Sequence, residues 1–496
     1  MDEEIRSSIA RNGGIMMATQ LITWISTFVL LLFLPRMLGS EAFGALYLAL
    51  SLAMILEVVI GFGGNLMIPK EVARNRDKAG TILMNYIGLR IAVWVIGLSL
   101  IMLFAWVAGY SSEAVLLIFI ICVSKLWEGI SKTIKSCFQG IERLEYPSLG
   151  IIGEKVFVSA VAVALLFMGY GVVAIACVIA AGTLLNLIIS SIFIPKLTQG
   201  LPKVEWSQTS ALIKSSLPYF LGSVFGVIYF RVDAVMLSLL TSEDVVGWYG
   251  AAYRFFDVVM FLPSIFTLVA FPIYSRLWVS EKQKLADTTR KSLEILCIAG
   301  VPITLLIFFN SRSIVNLFFG LEEYLASVII LQIFGVGILL IYIDFILGRT
   351  IMAVDKQKIW AFVGFLAIFV NIGLNWFLIP YTQAQFGNGG IGAAAATLAT
   401  ELFIMASALV LIPNHLIKGI NIAVPAKLIV SGLVMGAFLK AGIDIGVHWI
   451  LVSLVASVLY AALLRITGVV NARHMQILQE LFHYKKIKSV FVTLKS

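Results

Sequence analysis

Two arginine–aspartate pairs, Arg231 with Asp233 and Arg254 with Asp257, fall inside apolar runs that meet at the polar turn Thr241 to Asp244. An ionised side chain in hydrocarbon costs about 2.5–3.5 kcal/mol even on lenient insertion scales, so these groups are expected to face a protein interior or a wet cavity. Arg254 stands ten residues beyond Asp244. That is roughly 15 Å of helix, about half of a ~30 Å hydrocarbon core. Arg254 and Asp257 are spaced i, i+3 and share one helix face. Two chemistries fit the pattern: an ion pair that locks helices together, or a site for charged cargo. The planar fork of arginine matches phosphate oxygens, and a carboxylate at such depth can carry a coupling proton.

Arg90, Lys125 and Lys155 also fall within apolar runs. Lys125, Glu128, Lys132 and Lys135 follow i, i+3, i+7, i+10, a single stripe on one helix face. Solvation of a helix end and snorkelling explain Lys132 and Lys135, but not Lys125 and Glu128. The stripe therefore reads as one wall of a cavity open to the cytoplasm. Glu57, Glu154, Asp233, Asp257, Asp344 and Glu401 are available to balance these cations or to carry a proton. Glu57 and Asp344 fall near expected cytoplasmic helix ends, where solvation alone would account for them. Trp24, Trp127, Tyr219, Tyr229, Trp248, Tyr249 and Tyr253 are near the charges and suit either sugar stacking or packing.

No phosphate-binding loop, no histidine cluster with metal-ligand spacing and no large extramembrane segment stands in the chain, and the histidines (His415, His448, His474, His483) lie near loops or the tail. The expectation is a protein that is not an enzyme and needs no cofactor. Cys122, Cys137, Cys177 and Cys297 are isolated in apolar runs and read as small buried hydrophobes.

Of the 496 residues, 60% are hydrophobic and 13% charged. A water-soluble chain carries about 25% charged residues, so this is a polytopic membrane protein, expected to be all-α. Apolar runs of bilayer length predict about fourteen spans, near 15–35, 42–62, 82–109, 114–131, 147–168, 171–195, 212–240, 245–272, 292–310, 325–348, 359–380, 390–412, 425–440 and 446–467. The first is too long for a cleaved signal and is expected to stay as a span. Lysines and arginines concentrate in alternate loops. Only Arg36, Arg312 and Lys440 fall on the other side, so both termini are expected in the cytoplasm. That distribution also accounts for the net charge of +9 without nucleic acid.

Leu38-Gly-Ser-Glu-Ala-Phe-Gly44, between the first two spans, resembles Leu240-Thr-Ser-Glu-Asp-Val-Val-Gly247, between the seventh and eighth, with one residue inserted. Gly169 to Ala176 and Gly389 to Ala395 echo each other at the same offset of six spans. An even offset predicts two parallel six-helix lobes, 1–200 and 201–415, related by an axis along the membrane normal, with two further helices in 416–470. The small residues of Gly389 to Ala396 should allow close helix packing. Pro35, Pro195, Pro272 and Pro380 are expected to end spans, Pro263 and Pro302 to kink them. The basic segment 471–496 has apolar residues at helical spacing and reads as an interfacial cytoplasmic tail.

Three blocks in order, Leu34-Pro-Arg-Met-Leu-Gly-Ser-Glu-Ala-Phe-Gly44, Arg231-Val-Asp233 through Arg254 to Phe271-Pro272, and Asn371 to Pro380 followed by Gly390 to Thr397, resemble the polysaccharide transporter branch, the Wzx-type oligosaccharide flippases, of the MOP flippase superfamily. The resemblance covers nearly the whole chain. It implies alternating access in the cytoplasmic membrane that moves a polyprenyl-diphosphate-linked oligosaccharide, such as an O-antigen, capsule or exopolysaccharide repeat, to the outer leaflet. It also implies cavity cations that engage the diphosphate. Arg254 and Arg231 are the positions that match best, with Lys125 and Arg90 beside them, and Asp257, Asp233, Glu128 and Glu401 balancing charge or coupling. The expected partners are the lipid-linked glycan, the bilayer and a glycan polymerase or glycosyltransferase, with the chain itself a monomer. The related lipid II flippases use an arginine in the first helix, where this chain offers Thr19, Gln20, Thr23 and Ser26. A proton- or sodium-coupled antiporter of organic cations, of the MATE kind, is the second reading. A membrane glycosyltransferase or polymerase is the third, and the short external loops argue against it.

Overall fold

The computed structural model describes residues 3–197, 206–417 and 423–470, and the expected tail at 471–496 lies outside them. Fourteen helices among the described residues are long and apolar enough to cross a bilayer. The first seven are α1 (Gly14–Leu38), α2 (Ser40–Arg74), α3 (Arg76–Val107), α4 (Ser112–Gly140), α5 (Glu145–Phe167), α6 (Val172–Lys196) and α7 (Ser223–Leu240). The others are α8 (Glu243–Ser280), α9 (Lys282–Phe318), α10 (Ser327–Ala353), α11 (Gln357–Phe386), α12 (Gly389–Leu411), α13 (Ala423–Asp444) and α14 (Trp449–Ile466). Each matches a span read from sequence. Large apolar side chains point outward, Trp106 at 77% and Val410 at 84% exposure, an arrangement that water would penalise and lipid favours.

Helix ends and breaks follow from local chemistry. Ser111 caps α4 by accepting from the Ala114 amide at 3.2 Å, and Asn388 caps α12 by accepting from the Gly390 amide at 3.1 Å. The helix of α2 breaks at Phe62 and Gly63 and resumes at Gly64. That of α8 breaks at Met260, with Pro263 in the first turn of the second segment, where a missing amide hydrogen is tolerated. Pro35, Pro272 and Pro380 do not end their helices, which run on to Leu38, Ser280 and Phe386. In lipid an unravelled helix would orphan several backbone groups, whereas a proline removes one bond. Cys122 and Cys137 are buried as expected, whereas Cys177 is exposed and Cys297 half-buried.

The chain divides into two compact units after Gly247. This line differs from the lobe boundary at residue 200 read from sequence, because α7 packs along α2 within the first unit. Inside the first unit α2, α3 and α6 pack on α4, and α5 packs on α6. Inside the second, α8, α9 and α12 pack on α10, and α11 packs on α12. The pairings are the same at an offset of six helices, as the repeated turns imply. The last two helices pack on each other, with α13 laid against α9.

The repeated turns meet one another within the first unit. Ser40, at the start of α2, donates to Asp244, at the start of α8. A Cβ on Gly44 would collide with the carbonyl oxygen of Glu243, and one on Gly247 with that of Ser40. Each glycine thus lies on the main chain four residues before the other glycine, a reciprocal contact that only hydrogen side chains permit.

Candidate functional site

The charges of α4 belong to a buried cluster in the first unit. Lys125 Nζ lies 2.8 Å from Glu57 Oε2 and 2.7 Å from Glu128 Oε2. Lys132 Nζ lies 2.7 Å from Glu128 Oε1 and also pairs with Glu57. Four charges of alternating sign close a ring between α2 and α4, which removes the cost of burying any one of them alone. Glu57 was expected at a solvated helix end. It does lie one turn before the break at Phe62, but its carboxylate is paired with Lys125 and Lys132 of α4 rather than left to solvent.

Arg90 of α3 is 1% exposed; its guanidinium donates to the carbonyl of Gly129 and, at 2.9 Å, to Asn65 Oδ1. It joins α3 to α4 and to the second segment of α2 rather than joining the lysine cluster. In α7, Arg231 donates to the hydroxyl of Tyr47 at 3.3 Å and Asp233 is 2% exposed. In the second unit, Arg254 is half-buried and Asp257 exposed on the first segment of α8. Tyr249 and Tyr253, candidates for sugar stacking, are buried against Phe334, which makes them core residues of that unit. The side chain of Tyr219 lies outside the described set.

A second carboxylate departs from the sequence reading. Asp344 of α10 is 7% exposed and lies against Glu401 of α12, itself 4% exposed. The helix continues past Asp344 to Ala353, so this group too is interior. In the first unit Glu154 bridges Lys155, at 2.6 Å, and Asn186 of α6, at 2.7 Å. Sequence periodicity gave no sign of that contact, since Asn186 carries no charge to be explained.

Glu128, Lys132 and Lys135 line a pocket of about 230 Å³ whose far side is built from α1, α5 and α6. Thr19, Gln20 and Thr23 reach it from α1, Ser148, Glu154 and Lys155 from α5. Three of the four residues of the stripe therefore share one wall, and the wall is polar.

Residues 9–278 match the family model described as polysaccharide biosynthesis protein, and residues 149–460 match that of the lipid II flippase MurJ. Each match covers more than half of the chain, which therefore belongs to the polysaccharide-biosynthesis proteins and flippases that these two models describe. A probable low-salt glycan biosynthesis flippase, Agl15 of Haloferax volcanii, is 25% identical to this flippase over 204 residues, 41% of the chain and 42% of the relative. The alignment thus spans less than half of that relative's length. A solved lipid II flippase MurJ, inward closed, superposes with a TM-score of 0.72 at 16% identity, covering 92% of this chain and 98% of the other. An inward-facing MATE family multidrug transporter of the MOP superfamily gives 0.64 at 13% identity, covering 81% and 97%. At such identities these two show the shared fold. The first helix presents the neutral Thr19, Gln20 and Thr23 to the pocket.

Proposed function

We propose that this flippase moves a polyprenyl-diphosphate-linked oligosaccharide from the cytoplasmic to the outer leaflet by alternating access, without chemistry on the cargo. The observation that carries the reading is the set of cations held at membrane depth within a family of glycan flippases. Arg231 and Arg254 are assigned to the diphosphate, because the guanidinium fork engages two phosphate oxygens at once. Lys125 and Arg90 are assigned to the same diphosphate, the first held in the ring with Glu57 and Glu128, the second by Gly129 and Asn65. Glu128 balances charge, while Asp233, Asp257 and Glu401 are assigned to coupling.

The orientation is both termini cytoplasmic, the membrane the cytoplasmic one, and the working unit a monomer that receives cargo from a glycosyltransferase and delivers it to a polymerase. In cells, Arg254→Ala is expected to abolish glycan export while the protein still inserts, and normal export would remove the role given to Arg254. The buried carboxylates Asp344 and Glu401 also suit a second reading, cation antiport. Drug efflux from vesicles that ceases when those carboxylates are neutralised would favour it.

A further inference from the structure

Along the seam where α1 packs against α5, the polar pocket is followed by an apolar furrow. The two helices run in the same direction, as first and fifth spans must. Thr19 and Thr23 share the pocket with Glu154 and Lys155. Beginning beside Thr23 and Lys155 and extending about two turns along both helices, the furrow, about 460 Å³, is shared by Ile25 and Val29 with Val156 and Val163. Ser26 marks the junction, its hydroxyl donating to the carbonyl of Lys155 at 2.8 Å. The furrow is open sideways: Ile25 is 64% and Val156 52% exposed, which in a bilayer means open to lipid.

The pocket carries one cation more than its carboxylates balance. Lys125 and Lys132 are neutralised by Glu57 and Glu128, and Lys155 by Glu154. Lys135, on the same wall, makes no ion pair among the described residues. Its ammonium offers three donors to an anion, and the Thr23 and Ser148 hydroxyls stand on the opposite walls. An uncompensated cation at one end of an apolar channel is complementary to an anion at the end of a hydrocarbon chain. The channel is a single furrow between two helices, so it takes one chain where a diacyl phospholipid presents two.

We propose that this seam binds a single-chain isoprenoid phosphate, its phosphate against Lys135 and the first part of its chain in the furrow between α1 and α5. The inference rests on the flippase reading and adds to it the place where the carrier is held on the cytoplasmic side before its diphosphate reaches Arg231 and Arg254. With the lysine-rich loops in the cytoplasm, the phosphate end faces that side and the chain points to the bilayer midplane, the direction of a lipid of the cytoplasmic leaflet.

The test is equilibrium binding of fluorescent geranylgeranyl phosphate to the purified full chain in nanodiscs. Lys135→Gln removes the cation, and Ala160→Trp, at an exposed furrow residue, fills the channel without entering the core. Each is expected to weaken binding at least tenfold with an unchanged melting temperature. Geranylgeraniol, which lacks the phosphate, should bind at least tenfold more weakly than the phosphate, and dioleoyl phosphatidic acid should not displace the probe. Unchanged binding in both variants, or none by the wild type, would overturn the proposal. Displacement by phosphatidic acid at equal concentration would overturn it in favour of a membrane phospholipid. If Lys135→Gln fails to fold, Ala160→Trp alone decides. Glycan export that persists in both variants with unchanged binding removes the seam and leaves the flippase reading intact, which Arg254→Ala tests separately.

Discussion

Replacing Lys125 by methionine should reveal how the buried ring is balanced. The wild-type cluster holds two lysines and two glutamates, with Lys125 pairing at 2.8 and 2.7 Å and 12% of its side chain exposed. Lys125→Met keeps the volume but leaves Glu57 and Glu128 sharing Lys132 alone, one negative charge in excess. Removing one partner of a buried pair costs about 3–5 kcal/mol. The glutamates retain 24% and 20% exposure, so the lower end, about 3 kcal/mol, applies. In the double variant Lys125→Met/Glu128→Gln the surviving Glu57–Lys132 pair is neutral again. Its loss should be about 1 kcal/mol, less than that of Lys125→Met alone, so the two substitutions are coupled by at least about 2 kcal/mol, plus whatever Glu128→Gln costs by itself. SDS-titrated unfolding of the purified protein, followed by tryptophan fluorescence, measures both. A double variant as unstable as the sum of the two single ones would refute the ring as a charge-balanced unit.

Other substitutions test other contacts. Arg90→Lys has one ammonium where the guanidinium meets both Gly129 and Asn65, and should lose about 2 kcal/mol of stability in the same unfolding assay. Glu154→Ala strands Lys155 and the Asn186 amide and should lower stability by about 1–3 kcal/mol, whereas Glu154→Gln, which can still accept from Asn186, should lose less. Gly247→Ala places a methyl group in the carbonyl of Ser40, so the contact between the repeated turns must open. Glycan export is expected to fall sharply in that variant with membrane insertion retained, and full export would show that the contact is dispensable to the cycle.

Much of the fold was legible because lipid leaves the chain few choices. Runs of bilayer length must be helices, and a turn such as Gly-Ser-Glu-Ala-Phe-Gly, echoed six spans later with one residue inserted, points to a repeat. The reciprocal seating of Gly44 and Gly247 gives that repeat a physical meaning that matching letters alone lack.

The candidate site was legible only in part. The i, i+3, i+7 spacing put Glu128 and Lys132 beside Lys125, but Glu57 reaches them from another helix, 68 and 75 residues away in the chain. Glu57 and Asp344 were misread for one reason. A charge near the end of an apolar run looks solvated, whereas the helix of Asp344 continues to Ala353 and Glu57, one turn before the break in α2, finds its cations on α4. The prolines misled in the same way, since the helices continue past them. Asn65 and Asn186, which hold Arg90 and Glu154, are neutral and sit at no distinctive spacing, so only the fold brings them to their partners.

The central claim is tested most directly by flipping with purified components. The protein is reconstituted into liposomes carrying a fluorescent polyprenyl-diphosphate oligosaccharide, and the fraction of glycan that a membrane-impermeant glycosidase can reach is followed over time. The account predicts that wild-type vesicles expose inner-leaflet glycan well above the protein-free rate and that Arg254→Ala and Arg231→Ala vesicles stay at that rate. Wild-type vesicles no faster than protein-free ones, across several glycans, would contradict it.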